Sequence, residues 1–127
     1  MLSAAPVAAV VAVSDLDRAR QFYGETLGLK VSRDQAPEAL FFEAGQGTTI
    51  LVYRRPNHQP SAATVVAFNV ADIKAEVTEL SGRGVVFEDY DFPGLKTDAD
   101  HIAHQADGIA AAWFSDPEGN IISIATM

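Results

Sequence analysis

The chain has 127 residues, 17 of them acidic and 9 basic, for a formal net charge of −8. That length holds one domain-sized core and leaves little for a second, and the acidic balance works against nucleic acid and anionic membranes, which reward clustered Lys and Arg. The absence of Cys removes disulfides, thiolate chemistry and Cys-ligated metals. The apolar run Pro6–Val13 is too short to span a bilayer, and the N-terminus lacks the basic start and long apolar region of a signal peptide. A cytoplasmic protein without nucleic-acid or membrane partners is therefore expected. The acidic surface would suit a cationic small ligand, and it would equally serve solubility alone.

In chain order, Val7–Val13 is β-branched and Ala-rich and reads as a buried strand. Ser14-Asp15 offers an N-cap to a helix running to about Leu27, with Leu16, Ala19, Tyr23 and Leu27 on one stripe and Gly28 as its stop. Strands follow at Leu29–Arg33, Ala39–Ala44 and Thr48–Tyr53, separated by Ala36-Pro37 and Gly45-Gln46-Gly47. Arg54–Ala62, with two Pro and an Asn, is a linker. The pattern then restarts. Thr64–Val70 is a strand, Asp72 a cap, Ile73–Gly84 a helix with Ile73, Val77 and Leu80 on one face, and Val85–Glu88 a strand. Asp89–Asp107 reads as a long irregular stretch, Ile109–Phe114 as a strand, Asp116–Asn120 as a turn and Ile121–Ala125 as the last strand.

The restart is an internal repeat. Val13-Ser14-Asp15-Leu16 returns as Val70-Ala71-Asp72-Ile73, each copy ending a strand and capping a helix. Two βαβββ halves, about 5–55 and about 63–127, fit one α+β domain over the whole chain, and the spacing also suits a ferredoxin-like arrangement.

Three stretches carry a more specific resemblance. Val13–Leu29, VSDLDRARQFYGETLGL, Phe68–Val85, FNVADIKAEVTELSGRGV, and Ala112–Ile124, AWFSDPEGNIISI, occur in the order and spacing of the vicinal oxygen chelate superfamily. The chain thus resembles the glyoxalase, bleomycin-resistance and dioxygenase proteins. The resemblance implies a curved mixed sheet with an open cleft in each half. The fold serves lyases, isomerases, dioxygenases and drug-binding proteins, so it does not by itself name an activity.

In metal-using members of that superfamily, a His or Gln on the first strand, a His in the second half, and two Glu supply the ligands. Carried onto this chain, the first two fall on Ala8 and Val65, at the same offset before Asp15 and Asp72. One Glu belongs within Thr48–Tyr53, which holds neither carboxylate nor imidazole, and the other falls on Ser123. A divalent cation needs several converging N or O donors. No metal and no cofactor are therefore expected. His101 and His104, flanked by Asp98, Asp100 and Asp107, could share a metal on a helical turn, or could be surface or pocket-rim histidines.

By the same resemblance the vacated metal region becomes an apolar floor of Ala8, Val65 and Ile50–Val52. The candidate ligand-binding residues are Phe42, Leu51, Tyr53, Val65, Tyr90, His101, His104, Trp113 and Ser123, with Phe68 also considered. Trp113 and the other strand aromatics read equally well as core, because their facing depends on register. The first expectation for function is a non-catalytic binder of a cationic or aromatic compound, of the bleomycin-resistance type and dimeric like those proteins. The second is a metal-independent lyase or isomerase using His101, His104 or a rim carboxylate on an aromatic or polyketide-like metabolite. The third is an interaction module whose cleft is filled by its own side chains.

Overall fold

The computed structural model describes residues 1–126, so Met127, the final residue of the second predicted repeat, lies outside the described residues. Two compact units divide between Pro60 and Ser61, inside the predicted linker. Each carries one four-stranded mixed sheet.

The first unit runs β1 (Ala8–Val13), α1 (Leu16–Ala19), a π-helical segment (Arg20–Thr26), β2 (Lys30–Gln35), β3 (Ala39–Glu43) and β4 (Thr49–Arg54). Its strand order is β1-β4-β3-β2, with β1 parallel to β4 and the others antiparallel. Asp15 begins the helix as expected, its carboxylate accepting from the Arg18 N–H at 3.0 Å. The predicted helix reaches Leu27, but in a wider form beyond Ala19. The Leu27 N–H donates to the Phe22 carbonyl five residues back, at 2.9 Å. This extra residue per turn rotates Leu27 off the stripe. Leu16, Ala19 and Tyr23 are buried, while Leu27 is only half-buried. Gly28 then takes the left-handed conformation (φ 76°) that stops the helix.

The second unit runs β5 (Thr64–Asn69), α2 (Ile73–Gly82), β6 (Asp91–Phe92), β7 (Leu95–Lys96), β8 (Ala103–His104), β9 (Ala110–Ser115) and β10 (Ile121–Thr126). Its sheet order is β5-β10-β9-β8, and β6 and β7 form a separate hairpin. Asp72 caps α2 through the Ala75 N–H at 3.1 Å, and the buried stripe is Ile73, Val77 and Leu80, as the spacing predicts. Two expectations need correction. Val85–Glu88 is not a strand but a single bridge, Phe87 opposite Phe114, and the stretch from Asp89 to Asp107 is not structureless, since it holds β6, β7 and β8. Those strands are two residues long, below the length at which alternation can be read.

The turn before β10 holds the most buried carboxylate of the second unit. Asp116 is 5% exposed; its Oδ1 accepts from the Glu118 and Asn120 N–H groups, both at 2.9 Å, and its Oδ2 accepts from Asn120 Nδ2 at 2.8 Å. Asp116→Ala removes the acceptor of these donors, those of Asn120 being buried. It should destabilise the protein by about 2–3 kcal/mol, against about 1 kcal/mol for Asp15→Ala at an exposed cap, as read from urea unfolding midpoints.

Candidate functional site

Side chains opposite one another in a ladder share a face, so register sorts each sheet into a covered and an open side. In the first unit Ala9–Ile50–Phe42 and Val11–Val52–Leu40 form the covered rows. They are closed over by the helical segment, with the Phe42 ring 5.8 Å from that of Tyr23. The open rows are Ala8–Thr49–Glu43, Val10–Leu51–Phe41–Arg33 and Ala12–Tyr53–Ala39–Gln35. Leu51 and Tyr53 thus lie on the open side and half-buried. Phe42 does not. It is 0% exposed beneath the helix, and its neighbour Phe41 holds the open position. Ile50 and Val52 likewise belong to the covered side, leaving Leu51 as the one floor residue of that trio. Val10 is 54% exposed, a large apolar side chain facing outward from a strand of the sheet.

In the second unit the covered rows are Ile122–Phe114 and Ile124–Ala112, with Val66 and Phe68 opposite on β5. The open rows hold Ala67–Ser123–Trp113 and Asn69–Ala125–Ala111–Ala103. Trp113 and Ser123 are therefore neighbours on one face, with the half-buried indole beside the small hydroxyl. Val65 is the extra residue of a β-bulge facing Ile121 and Ile122 and is 40% exposed. Phe68 lies on the covered side.

The positions at which metal-using relatives place ligands can be judged within each unit. Ala8 sits opposite Thr49, and the one carboxylate in that row is Glu43, whose other cross-strand neighbour is Lys30. Val65 and Ser123 offer a methyl surface and one hydroxyl. These groups do not fit a divalent cation, which requires several charged or imidazole donors. Among the described residues no three His, Asp or Glu side chains converge as a metal site.

The histidines stand elsewhere. The hairpin β6–β7 and the turn after it make a cleft of about 290 Å³ whose lining includes Asp89, Tyr90, Thr97, Asp98 and His101. Tyr90 reaches the open side, its ring edge-on to Trp113 at 5.4 Å. Burial, with the Glu88 charge adding to it, holds the Tyr90 phenol above its ordinary pKa, so it remains a neutral donor. His101 turns the other way and stacks on Phe87, which bridges the covered-side Phe114. His104 is opposite Ala110, in the row that alternates with the open one, and its side chain is 69% exposed. Each imidazole meets one carboxylate, His101 Nδ1 with Asp89 Oδ1 at 2.7 Å and His104 Nε2 with Asp98 Oδ2 at 2.9 Å. The two do not share a site. His101 adopts φ 67°, a left-handed conformation uncommon outside glycine, which places the ring against Phe87.

This framework is matched over residues 5–124 by the family described as Glyoxalase/Bleomycin resistance protein/Dioxygenase superfamily. The chain belongs to that superfamily. An integron cassette protein from the mobile metagenome of the Halifax Harbour sewage outfall is similar, with TM-score 0.72 and 20% identity over 98% of this chain and 99% of that one. Lactoylglutathione lyase from Agrobacterium tumefaciens is similar with TM-score 0.70 and 22% identity, over 97% of this chain and 93% of that one. TnmS3, an antibiotic binding protein from Streptomyces sp. CB03234, is similar with TM-score 0.65 and 24% identity over 97% of each chain. At these identities the likeness is one of fold. A comparison with curated protein sequences finds no match.

Asp98 fixes the turn that carries His101. Its Oδ1 accepts from the Asp100 N–H at 2.8 Å and the Ile102 N–H at 3.0 Å. The Ile102 N–H, then His104, then the Asp100 N–H hold its carboxyl below the ordinary range. A lowered folded-state pKa contributes order that is complete above the unfolded value and fades as pH falls through the folded one. On acidification below about pH 4, the amides of Asp100 and Ile102 should lose hydrogen-exchange protection before those of β9 and β10. The Asp98→Ala variant should lack that protection already at neutral pH.

Proposed function

We propose that this protein binds an aromatic small molecule on the open side of its sheets, without metal-assisted turnover. The observation that carries the reading is the chemistry of that side. Val10, Leu51, Phe41 and Tyr53 offer apolar and aromatic surface in the first unit, and the ligand positions of metal-using relatives hold Ala8, Val65 and Ser123. Glyoxalase-type and dioxygenase chemistry requires a Lewis acid to polarise vicinal oxygens, and these side chains do not supply its ligands. Apolar surface with a few polar groups at the margin is the usual make-up of a small-molecule site. TnmS3, similar in fold, is an antibiotic binding protein, and sequestration of such a compound is the role that this surface supports best.

A metal-independent acid–base reaction is the second reading, favoured by one contact. Asp89 fixes the Nδ1 of His101, and among the described residues its Nε2 has no partner, the arrangement of an oriented base. The placement of that imidazole on Phe87 rather than on the open rows favours binding over catalysis.

Titration with N-phenylnaphthylamine, an uncharged aromatic fluorophore, should saturate, and the bound probe should raise the unfolding temperature. Leu51→Glu sets a carboxylate in the central open row without touching the covered core, and should weaken the probe at least tenfold while leaving the circular dichroism unchanged. Non-saturating binding, or equal affinity in the variant, would count against the reading.

A further inference from the structure

The central open row of the first unit ends on a cation. Val10, Leu51 and Phe41 follow one another across β1, β4 and β3, and the next position, on the edge strand β2, is Arg33. Its guanidinium carbon lies 5.6 Å from the centre of the Phe41 ring, within cation–π range. The Gln35 amide, with its oxygen toward the guanidinium, accepts from Nε and Nη2 at 3.0 Å each. One edge of the planar fork is thereby held by a neutral group, and the other edge, with Nη1, has no partner among the described residues.

The 17 acidic residues pair with only some of the 9 basic ones, and among the described residues Lys30, Arg54, Arg55 and Lys96 form no ion pair, like Arg33. Arg20 pairs with Asp34, Arg83 with Glu79 and Lys74 with Asp100. Among the described residues Arg33 has no carboxylate partner, although Asp34 is its chain neighbour. A ring and an amide hold it over the apolar row instead.

We infer that the open face of the first unit takes an aromatic anion, its ring system on Val10, Leu51 and Phe41 and its carboxylate or sulfonate on Arg33. This rests on the reading of the open face as the ligand site and names the ligand's charge. Three adjacent strands span about 10 Å, the length of a fused two-ring system, with the anionic group at the β2 edge. Arg is the side chain suited to this role, since its planar fork meets a carboxylate or sulfonate with two N–H groups while stacking on an aromatic face. The overall charge of −8 opposes an anion at long range, but that field is screened beyond about 8–10 Å. At contact distance the guanidinium decides.

The test compares anilinonaphthalene sulfonate with uncharged N-phenylnaphthylamine, which share an aromatic body, on the full chain. The readout is the ratio of their affinities. Arg33→Gln should lower the sulfonate-to-neutral ratio about tenfold, the effect of one charge-assisted contact, and Arg33→Lys should restore part of it. Added salt should shrink the ratio in the parent protein only. Arg55→Gln, which removes the same charge just beyond β4, should leave the ratio unchanged. Saturable neutral-probe binding with equal ratios in the parent and Arg33→Gln proteins overturns the anion assignment alone. Failure of the parent protein to bind either probe overturns the open-face reading and this assignment with it.

Discussion

Each unit is organised around one parallel pairing, β1 on β4 in the first and β5 on β10 in the second. A parallel pair cannot be closed by a tight turn, so the chain must leave one strand, cross the sheet and return. The crossover in each unit carries the helix, and the helix covers one side. Once it is seated, the period of two along a strand assigns the side chains of the sheet to its sides, except where a bulge shifts the register. Val11, Val52 and Leu40 go beneath the helix, and Val10, Leu51 and Phe41 go to the side without one. The capping residues at the crossings, Asp15 and Asp72, set where each helix begins. The open side is thus a consequence of topology, and its chemistry is set by whichever residues stand at the alternate positions.

How much of this can be read from the sequence follows from the range of the interactions involved. The caps and the stripe Ile73, Val77, Leu80 are local, and the 3.6-residue period identifies them unaided. Tyr23 is equally legible, whereas Leu27 is not. The five-residue hydrogen bond that rotates it away leaves no mark in composition. Phe41 and Phe42 show the limit most clearly. They are consecutive and chemically identical, so their pattern gives two answers, and only pairing with Leu51 and Ile50 on β4 decides which ring is open. The Arg33 position was hidden for a related reason. A bulge between Val31 and Arg33 shifts the register of β2 against β3, and it is this shift that brings Arg33 opposite Phe41. Simple alternation from Lys30 would have put Arg33 in a row with Leu40.

The stretch from Asp89 to Asp107 was legible as a place for special side chains but not as a structure. Its turns rest on residues that adopt positive φ without being glycine, His101 at 67° and Asp107 at 64°, alongside Gly94 and Gly108. Such conformations cost of order 1 kcal/mol each and persist only where neighbouring contacts enforce them. Around His101 the contacts are carboxylates. Asp89 accepts from Thr97 Oγ1 and meets His101, while Asp98 gathers two backbone N–H groups and meets His104. Asp89 and Asp98 are thus engaged in holding the turn that carries His101.

The same accounting bears on the first unit in the opposite sense. The carboxylates of Asp89 and Asp98 in the second unit hold a turn, while Arg33 is held by a ring and an amide. Ion pairs at exposed positions are weak, worth less than about 1 kcal/mol, so nothing compels Arg33 to pair. Its position over Phe41 and beside Gln35 nevertheless limits its freedom before any ligand arrives. A donor already ordered loses little further entropy when an anion meets it, and binding gains by that amount. Ala8, Val65 and Ser123 bring no carboxylate or imidazole to the sheets, and the charged group that ends the central open row of the first unit is Arg33. In the first unit Arg33 stands on the edge strand β2, where a ring and an amide order its guanidinium at the end of an apolar row.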